Sequence, residues 1–132
     1  MKGVIDMALT MKLLSEKYGV CRLDVWEEIP EWADKGEFYS ITKTSDELSI
    51  VCRESNIPNN IKREGDWRIL KVEGPLDFSL IGILSSISTV LAKEKISVFV
   101  ISTYDTDYIL IKEKDLTKSI DSLLAEGYNI IK

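Results

Sequence analysis

The sequence predicts an α+β chain of two small units, and three observations predict it. The second half alternates short β-branched runs with two stretches of helical apolar spacing, in the order βαββαβ. The first half carries strand-like runs but no long amphipathic helix. Between them, residues 54–66 are polar and hold Pro58, Asn59, Asn60 and Gly65, the composition of a turn or connector. A length of 132 residues fits one ordinary domain or two very small ones packed together. The expected division is 1–62 and 63–132.

In the first half, residues 9–13 alternate as a strand does, and residues 20–25 read as a strand or an extended connector. Residues 29–33 read as one helical turn, with Pro30 tolerated at its start. Residues 38–43 and 47–52 read as strands joined by a hairpin at Thr44, Ser45 and Asp46. This order makes the first half a reduced copy of the second, with its helices shortened.

In the second half, residues 67–73 form a strand with Trp67, Ile69 and Lys71 on one side and Arg68, Leu70 and Val72 on the other, closed by Gly74 and Pro75. Leu80, Ile83, Leu84, Ile87, Val90 and Leu91 recur at helical spacing, with Asp77 or Ser79 as the cap. Residues 96–101 and 108–111 are the next two strands, separated by turn chemistry at 104–107. Asp115 opens a second helix with Leu116, Ile120, Leu123 and Leu124 on one face, and Gly127 stands where a C′ glycine stops it. Residues 128–131 close a ferredoxin-like split βαβ unit.

Composition excludes several chemistries. The chain has no histidine, which removes a Ser-His-Asp triad, a Cys-His dyad and histidine-containing zinc sites. Two cysteines, Cys21 and Cys52, cannot form a Cys₄ site and read as buried reduced thiols. The expectation is therefore no catalysis, no cofactor and no metal. A net charge of −5 argues against nucleic acid, and the strand at 96–101 offers only Phe99 as a stacking aromatic. Asp6 and Lys12 interrupt the N-terminal apolar residues, and no run approaches the ~20 residues that span a bilayer. The reading is a soluble cytoplasmic protein without a membrane partner. Exposed sheet edges in so small a unit need covering, which packing the two halves side by side or dimerisation would provide, and a homodimer is expected.

Two segments carry the resemblance to a known family. They are residues 74–84, Gly-Pro-Leu-Asp-Phe-Ser-Leu-Ile-Gly-Ile-Leu, and residues 101–110, Ile-Ser-Thr-Tyr-Asp-Thr-Asp-Tyr-Ile-Leu. Together they resemble the ACT-domain family of small amino-acid-binding regulatory modules. Residues 30–33, 38–42 and 46–51 extend the resemblance through the first half, to short stand-alone tandem-ACT bacterial proteins. That group is similar to the ACT pairs of aspartate kinases and of the eukaryotic cytosolic arginine sensor. The resemblance implies two ferredoxin-like ACT units side by side, the first reduced in helix, with effector sites at the ACT–ACT interface.

A free amino acid needs donors for its carboxylate and acceptors for its ammonium. Backbone N–H groups at a helix start are such donors. The resemblance puts this effector-facing role on Asp77, Phe78, Ser79, Leu80, Ile81 and Gly82. Residues 102–107 are the second candidate, through Ser102, Thr103, Tyr104, Thr106 and Asp107. In a regular strand Asp105 and Asp107 would share a face suited to an ammonium or guanidinium. The alternative is a hairpin whose Asp and Thr side chains make turn bonds. Asp107 is the preferred contact, with Asp105 at the turn tip. Trp26, Trp32, Phe38 and Tyr39 form either an aromatic pocket or core and edge cover. Asp24, Glu27, Glu28 and Glu31 read as a solvated acidic surface. The functional expectation is a sensor for a free amino acid or similar small zwitterion. The alternative is an interaction protein that has a vestigial pocket and acts through dimerisation or a protein partner.

Overall fold

The computed structural model describes residues 9–73 and 82–132. In chain order the elements are β1 Thr10–Leu13, β2 Tyr18–Leu23, β3 Ser40–Lys43, β4 Leu48–Arg53, β5 Arg63–Val72, α1 Ile83–Lys93, β6 Val98–Ser102, β7 Asp107–Lys112, α2 Leu116–Ala125 and β8 Asn129–Ile131. Short 3₁₀ turns lie at Glu54–Asn56 and Glu113–Asp115. The fold class is the expected α+β, and among the described residues both α-helices lie in the second half.

The chain divides into two compact units. One is Glu16–Trp67; the other joins the chain up to Ser15 to Arg68–Lys132. This differs from the expected division at 62/63, because β1 is recruited into the later unit. There β1 pairs antiparallel with β5, Met11 opposite Val72, and parallel with β8, Met11 opposite Ile130. The strand order in that unit is β6-β7-β5-β1-β8. The βαββαβ plan therefore carries an added strand between its first and last. The reason is packing: Met11 is fully buried in the same cluster as Leu70, Val72, Ile87, Leu91, Ile109 and Leu123.

The helices of this unit cover that cluster with the apolar stripes read from the sequence. Ile87, Val90 and Leu91 of α1 are buried. In α2 the buried stripe is Leu116, Ser119 and Leu123. Leu124, expected on the buried face, is 48% exposed, since it lies about 100° around the helix from Leu123, at the edge of the stripe centred on Leu116, Ser119 and Leu123. Ser119 takes a buried place because its hydroxyl donates to the Asp115 carbonyl at 2.8 Å. Both helices end alike. After α2 the N–H groups of Gly127 and Tyr128 reach the carbonyls of Leu124 and Leu123 at 3.0 and 3.1 Å, with Gly127 at φ +96°. After α1 the N–H groups of Lys95 and Ile96 reach Ala92 and Leu91 at 2.9 and 3.1 Å, with Lys95 at φ +61°. The sequence signalled the first stop through its glycine and gave no sign of the second.

The Glu16–Trp67 unit pairs its strands in the order β3-β4-β2-β5, all antiparallel. Its core is Cys21, Leu23, Ala33, Leu48, Ile50, Cys52 and Ile57. The expected helical turn at 29–33 is present as a single hydrogen-bonded turn, Ala33 N–H to Pro30 carbonyl at 3.1 Å. The connector at 54–66 is shorter than expected, because β5 begins at Arg63. Gly65 and Asp66 escape the sequence pattern through a bulge. The pairing of Tyr18 with Trp67 shifts to Val20 with Glu64, so two residues of β5 stand opposite Gly19. Asp66 takes φ +64° there, and its N–H donates to Glu54 Oε1 at 3.0 Å. The loop before the bulge is held by the Arg63 guanidinium, which donates to the carbonyls of Ile57, Pro58 and Ile61.

Candidate functional site

The β6–β7 hairpin positions the second candidate segment. Val98 pairs with Ile111, and each step along the ladder leads to the last pair, Ser102 with Asp107. The four residues between them form a closed turn. The Thr103 N–H and hydroxyl both donate to the Thr106 carbonyl, at 2.8 and 3.0 Å, and the Thr106 N–H donates back to Thr103 Oγ1 at 3.3 Å. Thr106 is buried, and its hydroxyl donates to the Val72 carbonyl at 2.6 Å.

That last bond ties the turn to the end of β5, directly before residues 74–81. The candidates Asp77, Phe78, Ser79, Leu80 and Ile81 lie outside the described residues, as do both expected caps of α1. Gly82 follows them at the N-cap of α1, in the left-handed region at φ +88°. A Cβ built there meets nothing within 4 Å, so the dihedral and not crowding selects glycine. Its carbonyl accepts from the Ser86 N–H at 2.8 Å, the first bond of the helix. The opening N–H groups of α1 have no partner within the helix.

The structure thus separates the roles within residues 102–107. Thr103 and Thr106 spend their hydroxyls on building and anchoring the turn. Asp105 and Asp107 do not share a strand face: Asp105 is exposed in the turn, while Asp107 is half-buried at the start of β7. Tyr104 is 94% exposed and Ser102 is exposed. Among Ser85, Ser86, Ser88 and Thr89, all but Ser88 are exposed. Ser86 Oγ lies 2.7 Å from the Tyr128 hydroxyl.

In the Glu16–Trp67 unit, the four aromatic residues take different roles. Phe38 is buried edge-on against Tyr18, with ring centroids 5.9 Å apart, and Trp32 packs on the core. Tyr39 is exposed. Trp26 stands 76% exposed beside a shallow cleft of about 500 Å³. Ile41 and Leu48 line the cleft with Ile29, and Glu27, Glu28 and Lys43 bring charge to it. The sequence named Trp26 and the neighbouring acids separately; only the strands β3 and β4 bring Ile41, Lys43 and Leu48 to them.

Three perturbed groups are also found in this unit, Tyr18, Cys21 and Cys52, with the Cys21 thiol held below its ordinary value by its hydrogen bond with Cys52. Burial, reinforced by Glu37, pushes the Tyr18 phenol up to about 12. The Cys52 thiol is pushed up by its hydrogen bond with Cys21 and by burial. Both cysteines are buried and unbridged, as their composition suggested. Among the described residues no group of three or more Cys, Asp or Glu side chains is placed to hold a metal. Among the same residues no helix is long and apolar enough to cross a membrane.

A family model for the ACT domain matches residues 62–125, which include both candidate segments. A second model, described as an N-terminal domain, matches residues 16–60. An X-ray crystal structure of a protein from Agobacterium tumefaciens is 40% identical, with TM-score 0.89, over 94% of this chain and 92% of that one. Residues 62–125 belong to the ACT-domain family. The ACT match spans β5, α1, β6, β7 and α2 and leaves β1 and β8 outside. The chain is also 30% identical over 101 residues to the cytosolic arginine sensor for mTORC1 subunit 1 of Bos taurus. That alignment takes in 68% of this chain and 31% of the sensor, so the chain spans about a third of the curated relatives' length. The regulatory subunit of aspartate kinase from Thermus thermophilus shares the fold at TM-score 0.59 and 9% identity, over 89% of this chain and 97% of that one.

Proposed function

We propose that this chain is a non-catalytic regulatory sensor that binds a free amino acid or a similar small zwitterion on residues 74–82 and 102–107. The observation that carries the reading is the Thr106 hydroxyl on the Val72 carbonyl. It brings the turn that holds Asp107 to the end of the strand that leads into the α1 start. The chemistry matches a zwitterion: N–H groups of a helix start, which have no partner within the helix, suit a carboxylate, and the half-buried Asp107 carboxylate suits an ammonium. Membership of the ACT family supports the regulatory role. The names of the relatives, an arginine sensor and a regulatory subunit, point the same way.

A ligand that favours one arrangement of the protein shifts assembly or partner contacts toward it, which is how such binding becomes regulation. The direct test is calorimetry against each standard amino acid. Binding of one or a few is expected; silence from all of them at millimolar concentration would sink the amino-acid reading. In a thermal-shift assay, a ligand at about 100 times its Kd adds about 2.7 kcal/mol. Asp107→Ala is expected to abolish that shift while the chain remains folded. Retention of the shift would move the ammonium contact to residues 77–81.

A further inference from the structure

The cleft beside Trp26 has a chemistry that the amino-acid reading does not use. Trp26 and Ile29 are 76% and 56% exposed. They stand on a loop that is built, since Glu27 N–H donates to the Asp24 carbonyl and Asp24 N–H donates to Glu27 Oε2, both at 3.0 Å. Residues 24–37 hold six carboxylates, Asp24, Glu27, Glu28, Glu31, Asp34 and Glu37, against the single cation Lys35. The same imbalance sets the charge of the whole unit. Residues 16–67 carry 12 acidic and 7 basic residues, whereas the rest of the chain carries 10 of each. The net charge of −5 therefore resides entirely in this unit.

An apolar rim set in a strongly negative field selects its occupant. A second copy of this chain is a poor one, because a two-fold contact would set the six carboxylates against their equivalents. The rest of the chain, with balanced charge, brings no net positive charge to compensate. Nucleic acid and anionic membranes are repelled for the same reason. The cleft is open and shallow, with aromatic and aliphatic side chains on its wall, which suits an extended segment more than an enclosed small molecule.

We propose that the cleft between residues 26–29 and strands β3 and β4 docks a basic peptide segment of a partner protein. In this mode an apolar side chain of the segment lies against Trp26, Ile29 and Ile41. A neighbouring lysine or arginine meets Glu27 and Glu28, and its cation also lies within reach of the Trp26 ring face.

Selection of a random 12-residue peptide library against the full chain tests this. Enriched peptides are expected to place Lys or Arg next to an aromatic or branched aliphatic residue. A synthetic peptide of that consensus should lose about ten-fold or more in affinity on Trp26→Ala, as a central aromatic anchor does. It should lose several-fold on Glu27→Gln/Glu28→Gln, and weaken as salt rises from about 50 to about 300 mM. Trp26 is exposed, so the variant should keep the melting temperature of the native chain. Asp107→Ala should leave peptide affinity unchanged, which separates this proposal from the amino-acid reading. The proposal is overturned by failure to enrich any consensus, by a consensus without cations, or by a Trp26-dependent dimer in sedimentation.

Discussion

Residues 16–67 and the unit built from the chain ends differ in helix content, in charge and in what stabilises their cores. The later unit covers its sheet with α1 and α2, and its ten-residue buried cluster includes only apolar side chains. Its charge is balanced, and the turn of residues 103–106 is tied to the end of β5 through a buried hydroxyl. The earlier unit has no α-helix among its described residues. It closes its core with a turn at Ala33, two thiols and an arginine that gathers three loop carbonyls. A helix satisfies its own backbone and leaves side chains free to pack, whereas a loop must borrow polar side chains for its carbonyls. Among the described residues the buried phenol Tyr18 lies in the helix-poor unit, and its titration is one place where pH acts on that core.

The largest test of that contrast is at Tyr18. Its phenol is fully buried, and among the described residues its hydroxyl has no hydrogen-bond partner. Its folded pKa of about 12 lies above the ordinary value of 10, so the unfolded chain loses its proton first. This contribution is intact below pH 10 and falls away as pH rises from 10 toward 12, by about 2–3 kcal/mol for a two-unit shift. Tyr18→Phe removes both the titration and the unsatisfied hydroxyl. Urea unfolding at pH 7 should show it neutral or about 1 kcal/mol more stable, with a flatter profile above pH 10. A steep alkaline loss that persists in the variant would place the pH sensitivity elsewhere.

The next test concerns the later unit. Thr106→Val keeps the shape but removes the donor to Val72, for an expected cost of about 1–2 kcal/mol. The same change should weaken amino-acid binding, by freeing the turn from the end of β5. A stable variant with unaltered binding would detach the two candidate segments from each other. The smallest effect sets the two helix stops side by side. Gly127 and Lys95 occupy equivalent left-handed positions. Gly127→Ala should cost about 1 kcal/mol and Lys95→Gly should gain a similar amount, read as opposite shifts in urea midpoint.

Much of the later unit was legible because its signals are local. Helical spacing marked α1 and α2, β-branched runs marked β6 and β7, and Gly127 marked a stop. The site was legible only by type. The hydroxyls and acids of residues 102–107 were evident, but the share of each was not. Thr106 reaches a carbonyl 34 residues earlier in the chain, and no spacing rule reports such a contact. The bulge at Gly65 and Asp66 was hidden for a similar reason: it exists because Glu54 and β2 stand opposite.

The sequence by itself determined the α+β class, the order of elements, the absence of histidine chemistry and the buried state of Cys21 and Cys52. These follow from residue type and short-range period, which act wherever the chain goes. Tertiary structure alone decided that β1 joins the later unit, that the Thr106 hydroxyl is spent on Val72, and that Trp26 overlooks a cleft completed by β3 and β4. Each depends on residues distant in the chain, brought together by strand pairing whose register is set across the sheet and not along it.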